Sequence, residues 1–186
     1  MKNLLLTFLM FITLNTFSQS STWIPVVIEE GKDMEYLAFE KNWMSINKAL
    51  IDAGYRTGWS VWKRTPKEGD DGWAQYYVVV GNNDEKQLSQ DEWAPFMQKA
   101  LGKSQKAITK MMDGSGIIAE ARPLQISWVG GTVYAGSSIK PGDKMYFHYM
   151  TQQNENFEDL ELNVWKPIAE EQILEGIRKF WGLAKV

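Results

Sequence analysis

The chain has 186 residues, a formal net charge of −3, and a composition that is 44% hydrophobic and 23% charged, which suits one globular domain or two small ones. It has no cysteine and one histidine, so disulfides, thiolate metal sites and a cysteine nucleophile are excluded, and zinc sites and serine triads have little to build on. The acidic balance offers no basic footprint for a nucleic-acid backbone.

Residues 1–18 read as a secretory signal peptide. Lys2 supplies the charged start, and Leu4 to Leu14 is apolar apart from Thr7, Thr13 and nothing else. Thr16-Phe17-Ser18 puts small residues where a signal peptidase inspects them. The run is too short to span a bilayer, and no other segment reaches the roughly 20 apolar residues that a span needs. The mature protein is therefore expected to be periplasmic or secreted, and not membrane-spanning.

Trp23 to Ile28 is β-rich, with Pro25 pointing to an edge or a strand start. Met34 to Ala53 has helical spacing through Phe39, Trp43, Ile46 and Leu50, and Gly54 is a natural stop. Tyr55 to Thr65 and Trp73 to Val80 read as a hairpin around a loop of turn formers. The second strand is apolar on both faces, so it should be covered on both. Ser89 to Glu92 is a capping box, with the helix expected to run on through Met111 and Pro95 in its first turn. Leu124, Ile126 and Trp128 alternate in a further strand. A Gly/Ser-rich stretch over 131–142 is the expected linker. Met145 to Thr151 reads as a strand, Asn154 to Glu175 as a helix disturbed at Pro167, and Ile177 to Val186 as another strand.

A shift of 122 residues superposes two segments without a gap. Trp43, Ile46, Ile51, Gly54, Arg56 and Trp59 meet Trp165, Ile168, Ile173, Gly176, Arg178 and Trp181. That is six identities in 17 positions, where about one arises by chance. The implied repeat is a helix, a glycine stop and a Trp-bearing strand, and the two arginines are expected to bond helix-end carbonyls or make ion pairs. Residues 19–130 then form a first βαββαβ unit and 143–186 a second, incomplete βαβ unit. Val186 aligns with Arg64, so the chain is expected to be a fragment of a protein about 60 residues longer, the alternative being that its second half is degenerate.

The βαββαβ order is ferredoxin-like. With its two-faced apolar strands and its duplication, it resembles the dimeric α/β-barrel superfamily across residues 23 to 186. The resemblance implies an α+β fold with barrel-type sheet pairing and a possible homodimer. It also implies a cavity for a small apolar or aromatic molecule. That superfamily includes cofactor-free monooxygenases and enzymes whose haem is held by a histidine, which would put His148 in that role.

The candidate ligand-binding residues are Trp62, Arg64, Tyr146 and His148. Trp62 and Arg64 share a strand face, where an aromatic ring beside a guanidinium suits a planar or anionic ligand. His148 is the single histidine of the chain and shares a face with Tyr146. Packed structural roles compete at each position. The turns Glu68 to Gly72 and Asn82 to Glu85 are oxygen-rich but lack EF-hand spacing. No catalytic motif and no required cofactor stand out. The leading expectation is an extracytoplasmic small-molecule-binding module. A monooxygenase-like or haem-binding enzyme and an envelope structural or interaction protein are the alternatives.

Overall fold

A computed structural model describes residues 20–66, 69, 74–133 and 139–186. The expected signal peptide, Trp73 and residues 134–138 of the expected linker lie outside the described residues. The elements run β1 (Ser20–Ile28), α1 (Asp33–Asp52), β2 (Arg56–Lys63), β3 (Tyr76–Asn82), α2 (Gln90–Leu101), α3 (Gln105–Met111), β4 (Ile118–Ala121), β5 (Leu124–Val133), α4 (Phe157–Leu160), a π-helical turn (Glu161–Trp165), α5 (Lys166–Leu174) and β6 (Phe180–Lys185). The chain is thus α+β. No helix among the described residues is long and apolar enough to cross a membrane.

The strand order is β2-β3-β1-β5-β6, with β4 also paired to β1. The pairings of β1 with β3, β4 and β5, and of β2 with β3, are antiparallel. The order is open among the described residues, so the barrel-type pairing expected from the sequence is not formed there.

The chain divides into two compact units, one over Ser18–Ser127 and one holding Trp128–Lys185. In the first, period-two alternation puts Ile24, Val26 and Ile28 of β1 and Tyr76, Val78 and Val80 of β3 on one face. There they meet Tyr36 and Phe39 of α1. A second cluster joins Ile46 and Leu50 of α1 to Met97 of α2 and Ile108 of α3. The other sheet face carries Trp23, Tyr77 and Val79, all half-buried.

Four local expectations change. Pro25 sits inside a central strand, not at an edge. It lies beside the gap where β4 ends and β5 begins, and its carbonyl accepts from Arg122 N–H at 3.2 Å. A missing N–H costs nothing on that side. The helix expected to run to Met111 breaks at Gly102, whose φ of 61° only glycine adopts freely,. Ser104 then caps α3. Pro95 is the sixth residue of α2, beyond the first turn, and leaves the Asp91 carbonyl without its helical donor. The short strand β4 had no alternation long enough to read.

In the second unit, the strand expected over Met145 to Thr151 is absent, so no second βαβ forms as expected. Tyr146, Tyr149 and Met150 are exposed. The helix from Phe157 to Leu174 passes through the π turn, which lies just ahead of Pro167, the residue that has no N–H to give the preceding turn,. Leu162 packs closely enough on Gly130 that a Cβ there would meet it at 2.5 Å. Trp128 and Phe180 make an edge contact at 5.8 Å.

Candidate functional site

The helix-facing side of the first unit changes character along its strands. On β3 the inward row runs Tyr76, Val78, Val80 and then Asn82. On β1 it runs Ile28, Val26, Ile24 and then Thr22 and Ser20. The same alternation that builds the core thus ends in a polar rim. The strand register brings Ser20 opposite Ser127 and Thr22 opposite Gln125.

These side chains form one hydrogen-bonded relay. Ser20 donates to Asp84 Oδ1. Asn82 Nδ2 donates to Ser20 Oγ at 3.3 Å and to Thr22 Oγ1 at 3.2 Å. Thr22 Oγ1 donates to Gln125 Oε1 at 3.2 Å. The loop after β3 also closes the end of α1. Asn83 Nδ2 donates to Gly54 O at 2.7 Å and Lys86 Nζ to Ala53 O at 2.6 Å, which satisfies carbonyls that the helix leaves open and places a cation at its negative end. Lys86 lies 4.5 Å from the Tyr55 ring centroid, within cation–π range.

Arg56 enters from the start of β2. It is half-buried, and burial pulls its guanidinium below the ordinary arginine value, though not far enough to discharge it. It bonds Asn47 Oδ1, and Asn47 Nδ2 is tied to Trp43 O at 2.8 Å. The expectation that Arg56 would bond helix-end carbonyls is therefore corrected: Asn83 and Lys86 hold those, and Arg56 reaches an amide one turn inside the helix.

The relay, Asn83 and Arg56 line a cavity of about 510 Å³. Tyr55 and Trp93 supply its aromatic part, with Leu50 and Leu88. Arg56 is the single cation among the lining residues and Asp84 the single carboxylate. A wider depression of about 790 Å³ lies on α3, between Trp93, Lys106 and Lys110.

The residues expected from the sequence stand elsewhere. Trp62 pairs across β2 and β3 with Tyr77 on the sheet face away from the helices, and its Nε1 donates to Ser60 Oγ at 2.8 Å. Arg64 Nε donates to Ala74 O at 2.7 Å, closing the hairpin. Tyr146 is 71% exposed, and His148 is exposed on the same irregular segment. None of the four lines either depression. His148 is exposed and lines neither depression, so neither one offers it as a haem ligand.

The sequence held one signal for the cavity. Both inward rows turn from apolar to Ser, Thr and Asn within one strand pitch of the same end. The oxygen-rich turn Asn82 to Glu85 places two of its members, Asn82 and Asp84, in the relay. The chain matches no model of a known protein family, and no curated protein matches it.

Proposed function

We propose that the chain is an extracytoplasmic small-molecule-binding module whose ligand sits in the strand-end cavity. The observation that carries this reading is the relay from Asp84 through Ser20, Asn82 and Thr22 to Gln125. Five polar side chains from β1, β3, β5 and the loop after β3 hold one another in place. Such preorganisation removes ordering cost from binding. The volume falls in the usual range for ligand pockets.

The lining chemistry favours a neutral molecule rich in hydroxyl or amide groups. One cation and one carboxylate leave no net charge to attract an ion. Amides and hydroxyls both donate and accept. Tyr55 and Trp93 offer a flat apolar patch beside them. This ligand is more polar than the apolar one expected from the sequence, because the cavity lies at the rim and not between two sheets. The extracytoplasmic placement rests on the signal-peptide pattern of residues 1–18.

The pairing of β1 with both β3 and β4, and of β2 with β3, supports a ferredoxin-like first unit. The same element order supports kinship with the dimeric α/β-barrel superfamily. The shift of 122 residues supports a duplication. Both helices end in the same three bonds: Ala53 to Ala49, Gly54 to Ile51 and Tyr55 to Leu50 in the first, and Glu175 to Glu171, Gly176 to Ile173 and Ile177 to Gln172 in the second.

Calorimetric titration with a panel of neutral mono- and disaccharides and polyols tests the ligand reading. At least one member should bind saturably, and Asn82→Leu or Gln125→Leu should weaken it about tenfold, the equivalent of about 1.4 kcal/mol. Heat from no member, or binding indifferent to both substitutions, would rule the cavity out.

A further inference from the structure

The helix of the second unit buries Ala169 and Ile173 and leaves a second apolar stripe in water. Leu160, Val164, Trp165 and Ile168 are between 40% and 56% exposed. At about 100° per residue they lie on one arc, beside the buried one. An ordinary surface helix buries its apolar stripe, so this face lacks a cover among the described residues.

The first unit supplies a template for that cover. Under the shift of 122, Trp165 and Ile168 correspond to Trp43 and Ile46. Ile46 is fully buried against Met97 of α2 and Ile108 of α3, and Trp43 packs on the same cluster. What covers the face there is a pair of amphipathic helices. They carry Lys99, Lys106 and Lys110 on their exposed side, with Lys103 exposed in the link between them.

A further feature defines the missing cover. Glu161, Glu171 and Glu175 lie on or beside the uncovered arc, so its rim is acidic and suits a basic partner,.

We propose that this face is a seat for an amphipathic helix with apolar residues at three- and four-residue spacing and lysines on its flanks. The choice of template rests on the duplication put forward above; the ligand cavity has no part in it.

The test uses the full chain and two fluorescein-labelled peptides, read by anisotropy. One has the sequence Ser89–Asp113 of the first unit's own cover; the other is an unrelated Leu/Lys amphipathic helix. The Ser89–Asp113 peptide should bind saturably in the micromolar range. Ile168→Glu should weaken it at least tenfold. Leu174→Glu, at an exposed position about 120° around the helix from Ile168,, should change it less than twofold. If only the Leu/Lys helix binds, and Ile168→Glu abolishes that binding, the seat stands and the duplication falls. If neither peptide binds, or Ile168→Glu has no effect, the seat is refuted. Light scattering on the peptide-free chain covers the remaining occupant: a dimer that Ile168→Glu dissociates would put a second copy on the face and would likewise overturn the proposal.

Discussion

Glu40 lies on the inner face of α1, only 7% exposed, one turn after the fully buried Tyr36. Burial raises its carboxyl above the ordinary 4.5, and the Tyr36 hydroxyl beside it offsets part of that rise. The hydroxyl does not complete a well-formed hydrogen bond. Burial, and then Glu40, in turn raise Tyr36. A carboxyl whose folded pKa is raised binds its proton more tightly in the folded state. Its contribution is harmless below the unfolded value of 4.5 and becomes destabilising as pH climbs from there through the raised folded value. Glu40→Gln should therefore stabilise the protein at pH 7 by about 1 kcal/mol, with the gain vanishing below about pH 4.5. Urea denaturation of both proteins across that range measures it, and a gain that persists at acid pH would contradict the assignment. Glu40 could not be read as buried from the sequence. It interrupts the apolar periodicity of α1 as a solvated residue would, and only the stacking of Tyr36 on Tyr76, with centroids 4.5 Å apart, draws that side of the helix inward. Trp62 shows the converse. Its sheet face was legible from alternation, but alternation does not say which face holds a cavity.

At the scale of elements, the two glycine stops were the most legible feature of the chain. Gly54 and Gly176 adopt φ of 77° and 76°. Each closes a Schellman-type end, with a bond to the carbonyl three residues back and the next N–H bonding five residues back,. A Cβ at Gly176 would touch nothing within 4 Å, and one at Gly54 would meet only Lys86 Nζ at 3.8 Å. The cost of alanine at either position is therefore conformational, about 1 kcal/mol each. Gly54→Ala and Gly176→Ala should each lower stability by that amount, and the double variant by their sum, because the sites share no partner. Chemical denaturation of the three variants decides it; a loss well below the sum would mean that the two ends are coupled. The capping box at Ser89 was equally plain. Ser89 Oγ accepts from Glu92 N–H at 3.4 Å, and the Ser89 N–H donates to Glu92 Oε2 at 3.1 Å. Ser89→Ala should cost about 1 kcal/mol, read from the same melts. The strand expected at Met145 to Thr151 fails for a reason that no local pattern contains. A strand is stable only beside a paired neighbour, and no strand of the sheet pairs with that segment.

At the scale of the whole chain, the two units are unequal in what holds them together. Both apolar clusters lie between Ile24 and Ile118. Among the described residues of the other unit, the buried apolar side chains are Ala169, Ile173 and Leu183. Composition hid this difference, since Trp, Ile and Leu recur in both halves and the 122-residue correspondence makes them look alike. Burial separates them: Ile46 is fully buried and its counterpart Ile168 is 40% exposed. Below about 60 residues a single core is marginal even when well filled, and this one is sparsely filled. A polypeptide of residues 20–133, which keeps β5 whole, should therefore fold alone, with dispersed amide resonances and one cooperative thermal transition. Residues 128–186 alone should give collapsed amide dispersion and no transition. If the smaller piece folded cooperatively instead, its exposed stripe would not be marking a missing partner, and the seat on Trp165 and Ile168 would lose its physical motive.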